Sequence, residues 1–164
     1  MWKKLLFTLI CIFSVINVVV LTSCKKVKDF SDIQTIIYPS ILKGEGNSAN
    51  KYFVFIYGDV CTYCEELLPT VCEYVNLTKK QKDMIPLYVL NASNTRVNKG
   101  LVSSSDAEIK DFIATKNYED IHIANTPALI LVDDGMVTYY ISSKTTQRPK
   151  TEIEQYLKKV MNNA

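Results

Sequence analysis

Tyr52-Phe53-Val54-Phe55-Ile56-Tyr57-Gly58-Asp59-Val60-Cys61-Thr62-Tyr63-Cys64 is the stretch whose reading decides the fold. Its first six residues are β-branched or aromatic without a break, the composition of a strand buried on both faces. Leu67, Leu68, Val71, Cys72 and Val75 then recur at helical spacing, which predicts a helix from about Cys61 to Asn76. Cys61 and Cys64 therefore fall on its first turn, at neighbouring positions of one face. Two thiols so placed can close a small disulfide ring. The helix N-terminus adds unpaired N–H groups and a positive dipole end, which favour a thiolate. Cys61 should be exposed, and Cys64, near the apolar stripe, more buried. This asymmetry makes Cys61 the attacking thiol and Cys64 the resolving one.

A single C-x-x-C also looks like half a zinc site. Zinc would need two further ligands, and His122, Cys72 and Cys24 supply no second paired motif, so no metal is expected. A purely structural disulfide is the other alternative, although so small a ring constrains little of the unfolded chain. Cys72 lies eight residues beyond Cys64, about 12 Å along a helix, and reads as a small core residue. His122 reads as a loop or edge residue. Glu65 and Glu66 read as the solvated face of the helix.

Outward from this centre, Ile85 to Leu90 is a second buried strand and Asn91 to Ser104 a polar loop. Ser105-Asp106-Ala107-Glu108 offers a capping box for a helix with Ile109, Phe112 and Ile113 on one face. Pro127 to Val132 and Met136 to Ser142 read as strands joined at Asp133-Asp134-Gly135 in a hairpin. Pro149 to Met161 closes the chain as an amphipathic helix. On the other side, Phe30, Ile33, Ile36 and Ile37 predict an extra leading helix within Asp29 to Leu42, followed by a loop from Lys43 to Lys51. The order is α/β: one mixed sheet of about four strands, with a parallel crossover and an antiparallel pair, flanked by helices on both faces.

These residues resemble the thioredoxin superfamily over roughly Tyr52 to Asn162. A buried strand runs into Cys61-Thr62-Tyr63-Cys64, and Pro69 falls where that family places the proline of its active-site helix. Thr126-Pro127-Ala128-Leu129-Ile130-Leu131-Val132-Asp133-Asp134-Gly135 is similar to its cis-proline segment and hairpin. The resemblance implies a thioredoxin-like fold and thiol–disulfide exchange with no bound cofactor, the Cys61–Cys64 pair storing two electrons. It also implies a substrate lying against Thr126, Pro127, Thr62 and Tyr63. The chain departs from the pattern in three places. Val60 replaces the family's Trp, Thr62-Tyr63 replaces Gly-Pro, and Phe55 stands where thioredoxins keep a buried acid.

The front of the chain carries an address. Met1-Trp2-Lys3-Lys4 precedes the apolar run Leu5 to Leu21, which with Thr8, Ser14 and Asn17 barely reaches the length for spanning a bilayer. Leu21-Thr22-Ser23-Cys24 resembles the lipobox of bacterial lipoproteins, which implies cleavage before Cys24 and its lipidation. An uncleaved signal anchor is the alternative, and either leaves the rest of the chain outside, where disulfides persist. Lys25-Lys26-Val27-Lys28 is then a short basic stem, against anionic headgroups or simply solvated.

The expected division is a signal peptide over 1–23, an anchored stem, helix and loop over 24–50, and a thioredoxin-like domain over 51–164. Without the first 23 residues, 17 basic groups face 17 acidic ones. That balance gives no ground for a nucleic-acid partner. The expected partners are cysteine-containing secreted or surface proteins, a membrane redox partner and the bilayer itself. The expected function is an extracytoplasmic, membrane-anchored thiol–disulfide oxidoreductase. A non-catalytic adaptor lipoprotein and a protein resembling the bacteriocin-accessory thioredoxin-like group are the alternatives.

Overall fold

The structure, a computed structural model, describes residues 25–44, 50–103, 111–143 and 145–164. The apolar run of the central stretch forms β1 (Lys51–Tyr57), and after Gly58 to Cys61 the chain enters α1 (Thr62–Thr78). It returns through β2 (Leu87–Asn91), crosses a long loop to the hairpin β3 (Ala128–Asp133) and β4 (Met136–Ile141), and ends in α2 (Pro149–Asn162). The sheet order is β2-β1-β3-β4. β1 pairs parallel with β2 and antiparallel with β3, and β3 pairs antiparallel with β4. Asp134 and Gly135 turn the hairpin with φ of 48° and 71°, the left-handed pair that a two-residue connection needs.

Period-two alternation sorts the strand residues. Phe53, Phe55, Val89, Leu129 and Leu131 face one side, where Leu67, Val71 and Tyr74 of α1 and Ile153 and Leu157 of α2 cover them. Tyr52, Val54, Ile56, Leu90, Ile130 and Val132 face the other. Both long helices thus lie on a single face. Among the described residues the second face is covered by Tyr38, Ile41, Leu101, Phe112, Ile121 and Ile123, on short 3-10 turns and loops. Helices thus flank the sheet on both sides, the two long ones on one face and the described 3-10 turns on the other.

The single leading helix is corrected. Residues 29–42 form two single-turn 3-10 helices, Phe30–Asp32 and Tyr38–Ser40, joined by an extended link. Thr35 bridges Val89 in parallel, with Ile36 N–H donating to the Val89 carbonyl at 2.9 Å and Val89 N–H to the Gln34 carbonyl at 3.1 Å. The segment crosses the outer edge of β2. Phe30 and Ile33 therefore pack on one face of the sheet, and Ile36, Ile41 and Leu42 on the other. A helix would have kept its apolar residues on one stripe; here they divide because they cover an otherwise open strand edge.

The predicted capping box at 105–108, with Ile109, lies outside the described residues. Its last two apolar positions part company. Phe112 is buried and stacks on Tyr140 at 4.0 Å, whereas Ile113 is exposed. Ala114, at φ 62°, then donates its N–H to the Val137 carbonyl, and Val137 N–H donates to the Thr115 carbonyl. That short pairing covers the outer edge of β4 as the leading segment covers β2.

Candidate redox site

The loop from β1 to α1 brings the pair to the surface. Cys61 is the N-cap of α1 in an extended conformation, and the Cys64 N–H donates to its sulfur at 3.2 Å. The two residues are joined as a disulfide, their Cα atoms 5.2 Å apart. Cys61 is half-buried and Cys64 only 1% exposed, the asymmetry expected from the apolar stripe. Thr62 and Tyr63 between them are exposed, and Val60 is fully exposed. The N-terminal amides of α1 and its positive end thus face the Cys61 sulfur.

The Thr126–Pro127 bond is cis. Thr126 stands beside the disulfide loop. A Cβ added at Gly58 would lie 3.2 Å from Thr126 Oγ1, 3.4 Å from Ser93 Oγ and 3.8 Å from Cys61 Cβ. Gly58 is therefore the point at which the loop after β1, the start of β3 and the loop after β2 converge, and the missing side chain is what lets them close.

Sequence reasoning missed the polar frame behind this loop. Asp59 N–H donates to Ser93 Oγ at 2.9 Å, and Asn91 Nδ2 donates to Asp59 Oδ1 at 2.7 Å. Ser93 N–H donates to Asn91 Oδ1, and Asn98, itself buried, donates to the Asn91 carbonyl and accepts from Tyr38 N–H. The available signal was position. Asn91-Ala92-Ser93 closes a buried parallel strand, and sites of α/β sheets gather at the carboxyl ends of such strands.

Below the disulfide, Phe55 is fully buried. It stacks on Phe30 at 5.5 Å, and Phe30 stacks on Tyr57 at 4.4 Å. An aromatic cluster thus fills the region in which the sequence has Phe55 in place of a buried acid. Burial, reinforced by Asp59 and Asp29, pushes the Tyr57 phenol above its ordinary range. Glu66 is held by Lys150 at 3.2 Å across the two helices. Cys72 is a free, buried thiol whose pKa is raised by burial and then by Asp29 and Asp32. His122 shares a 2.7 Å contact between its Nδ1 and the Gly100 carbonyl. Among the described residues no cluster of three His, Cys, Asp or Glu could hold a metal ion, and no helix is long and apolar enough to cross a membrane. Cys24 and the run Leu5 to Leu21 lie outside the described residues.

No family model matches the chain, and no curated protein matches it. Solved structures do. One is a chain from work on thiol resolution in yeast mitochondrial 1-Cys peroxiredoxin by glutathione/thioredoxin systems (13% identity, 80% of this chain and 98% of that one, TM-score 0.44). Another is mitochondrial thioredoxin 3 of Saccharomyces cerevisiae in its oxidised form (13%, 79% and 97%, TM-score 0.44). A third is thioredoxin f2 of Chlamydomonas reinhardtii (17%, 67% and 82%, TM-score 0.43). Independently of these likenesses, a β1-α1-β2 unit followed by the β3-β4 hairpin and α2, with a C-x-x-C disulfide at the mouth of α1 and a cis-proline opening β3, gives this chain a thioredoxin-like fold.

Proposed function

We propose that the protein is an extracytoplasmic, membrane-anchored thiol–disulfide oxidoreductase acting on cysteines of secreted or surface proteins. One observation carries the chemistry. The sulfur of the half-buried Cys61 caps α1 and accepts the Cys64 N–H, while its bonded partner Cys64 is buried. In the reducing direction the Cys61 thiolate attacks one sulfur of a substrate disulfide. A mixed disulfide forms, and the other substrate sulfur leaves as a thiolate. Deprotonated Cys64 then attacks Cys61, which releases the second substrate thiolate and regenerates the Cys61–Cys64 disulfide. The substrate gains two electrons and the protein loses two. A second dithiol protein resets the pair, and in the oxidising direction each step runs backwards.

Thr62, Tyr63, Thr126 and Pro127 are the proposed substrate contacts, because two are exposed between the cysteines and Thr126 flanks Gly58 beside Cys61. Membrane attachment through Cys24 rests on the sequence Leu21-Thr22-Ser23-Cys24 after a basic-apolar leader. Trapping tests the enzymatic reading. Cys64→Ser should accumulate mixed disulfides with substrate proteins in cells, and Cys61→Ser should accumulate none and lose turnover. Equal trapping by both variants, or none by either, overturns it.

A further inference from the structure

We propose that the pole around the C-terminal end of α1 is a membrane-facing surface that lies on anionic phospholipid headgroups, holding the Cys61–Cys64 disulfide at the opposite, outward pole. This rests on the reading that the chain before Lys25 is anchored in the bilayer, by acyl chains or by the uncleaved apolar run.

The two long helices run side by side in the same direction. Lys150, on the first turn of α2, bridges Glu66, just past the first turn of α1, while Val160 and Asn163 at the end of α2 line one groove with Lys80 and Ile85 just past α1. The disulfide sits at the shared N-terminal end. At the other end the chain emerging from Cys24 is fixed almost at once. Val27 is buried, its N–H donates to Asn76 Oδ1 at 2.8 Å, and Asn76 Nδ2 donates back to its carbonyl at 2.9 Å. Lys79 Nζ donates to the Lys25 carbonyl at 3.1 Å. Only Lys25 and Lys26 separate Cys24 from this clamp, a span of about 10 Å at full stretch. A tether that short leaves the domain little freedom to roll. The 17 residues of α1 then put the disulfide about 25 Å further out.

Charge follows the same axis. Lys25, Lys26, Lys28, Lys79, Lys80 and Lys82 are exposed at the tethered pole. The acids at this end are Asp32, Glu73, Asp83 and the hairpin pair Asp133 and Asp134, of which Asp32 is paired with Lys25 at 2.8 Å and Asp133 with Lys51 at 2.7 Å. The disulfide pole carries exposed Asp59 and Glu65, with Glu66 taken by Lys150. Screening confines attraction to within about 8 Å of the headgroups at physiological salt, so the lysines beside the tether feel the membrane and the distant acids do not.

Amine-reactive footprinting of the full chain, reconstituted in nanodiscs with and without anionic lipid, tests the surface. Labelling of Lys80 and Lys82 should fall several-fold in anionic discs relative to zwitterionic ones, while Lys99, next to Asn98 at the disulfide end, stays unchanged. In K79E/K80E/K82E the shielding of Lys26 and Lys28 should be lost, with the Cys61–Cys64 disulfide and the circular dichroism intact. Equal labelling of Lys80 in both lipids, or stronger shielding of Lys99 than of Lys80, overturns the surface. Intact mass and extraction by high salt report the anchor separately. A chain without acyl mass that salt washes off refutes the anchor, and the same chain is then spun with anionic vesicles. Binding lost in the triple variant supports the surface, and no binding overturns it.

Discussion

The Cys64 amide points at the Cys61 sulfur from 3.2 Å, while the Cys64 sulfur itself is sealed beneath the first turn of α1. After reduction the same N–H and the helix end stabilise a thiolate at Cys61 and offer nothing equivalent to the buried neighbour. Brief alkylation of reduced protein should therefore modify Cys61 to completion before Cys64 or Cys72 reacts, read by peptide mass. Simultaneous modification of Cys61 and Cys64 would contradict the division of labour between them.

Gly58→Ala tests the convergence of the three loops. Its methyl would stand 3.2 Å from Thr126 Oγ1 and 3.4 Å from Ser93 Oγ, so one of them must give way. Overpacking of this kind costs about 1–3 kcal/mol, and here the displacement falls beside the disulfide. Turnover should drop more than stability does. Combining Gly58→Ala with Thr126→Ala should recover part of the lost stability in a double-mutant cycle. Strictly additive effects would mean that the two positions do not press on each other.

How much of this was legible before the fold was seen depended on the range of each signal. β1, the cysteine pair and the α1 stripe could be read because strand, cap and helix each write their signal over a few consecutive residues. The cis-proline segment was legible through its likeness to a family pattern. The leading segment misled because Ile33 and Ile36 obey helical spacing while packing on opposite faces of the sheet. Spacing alone does not distinguish one stripe from a chain that crosses a strand edge. The Asp59, Asn91, Ser93 frame was invisible for another reason. Asn91 and Ser93 meet Asp59 from more than thirty residues away, and single polar residues at a strand end carry no period.

The Asn76 clamp predicts a stability effect far from the disulfide. Asn76→Ala removes both hydrogen bonds to the Val27 backbone and leaves that part-buried N–H and carbonyl without their partner. The expected loss is about 1–3 kcal/mol, or about 2–4 °C of Tm for each kcal/mol in a chain of this size. Denaturant unfolding measures it. Disulfide exchange by the folded variant should be unchanged, because the clamp lies at the other end of α1.

Stability should also fall at alkaline pH, for a reason the tyrosines make specific. Burial raises Tyr38, Tyr52 and Tyr140 to about 12, and Tyr74 is raised as well. In the unfolded chain each phenol ionises near about 10. Below that value both states hold the proton and these groups leave stability unaffected. Between about 10 and 12 the unfolded chain releases protons that the folded chain keeps, which favours unfolding. Denaturation midpoints should thus be insensitive to these groups up to pH 10 and decline steeply above it. Phenolate absorbance should show a fraction of the ten tyrosines titrating only as the chain unfolds. Tyr52→Phe checks the assignment. Its hydroxyl donates to the Ile41 carbonyl at 2.9 Å, so the variant should be less stable at neutral pH yet lose less on going from pH 9 to pH 12. A decline as steep as in the parent chain would show that Tyr52 is not among the groups responsible.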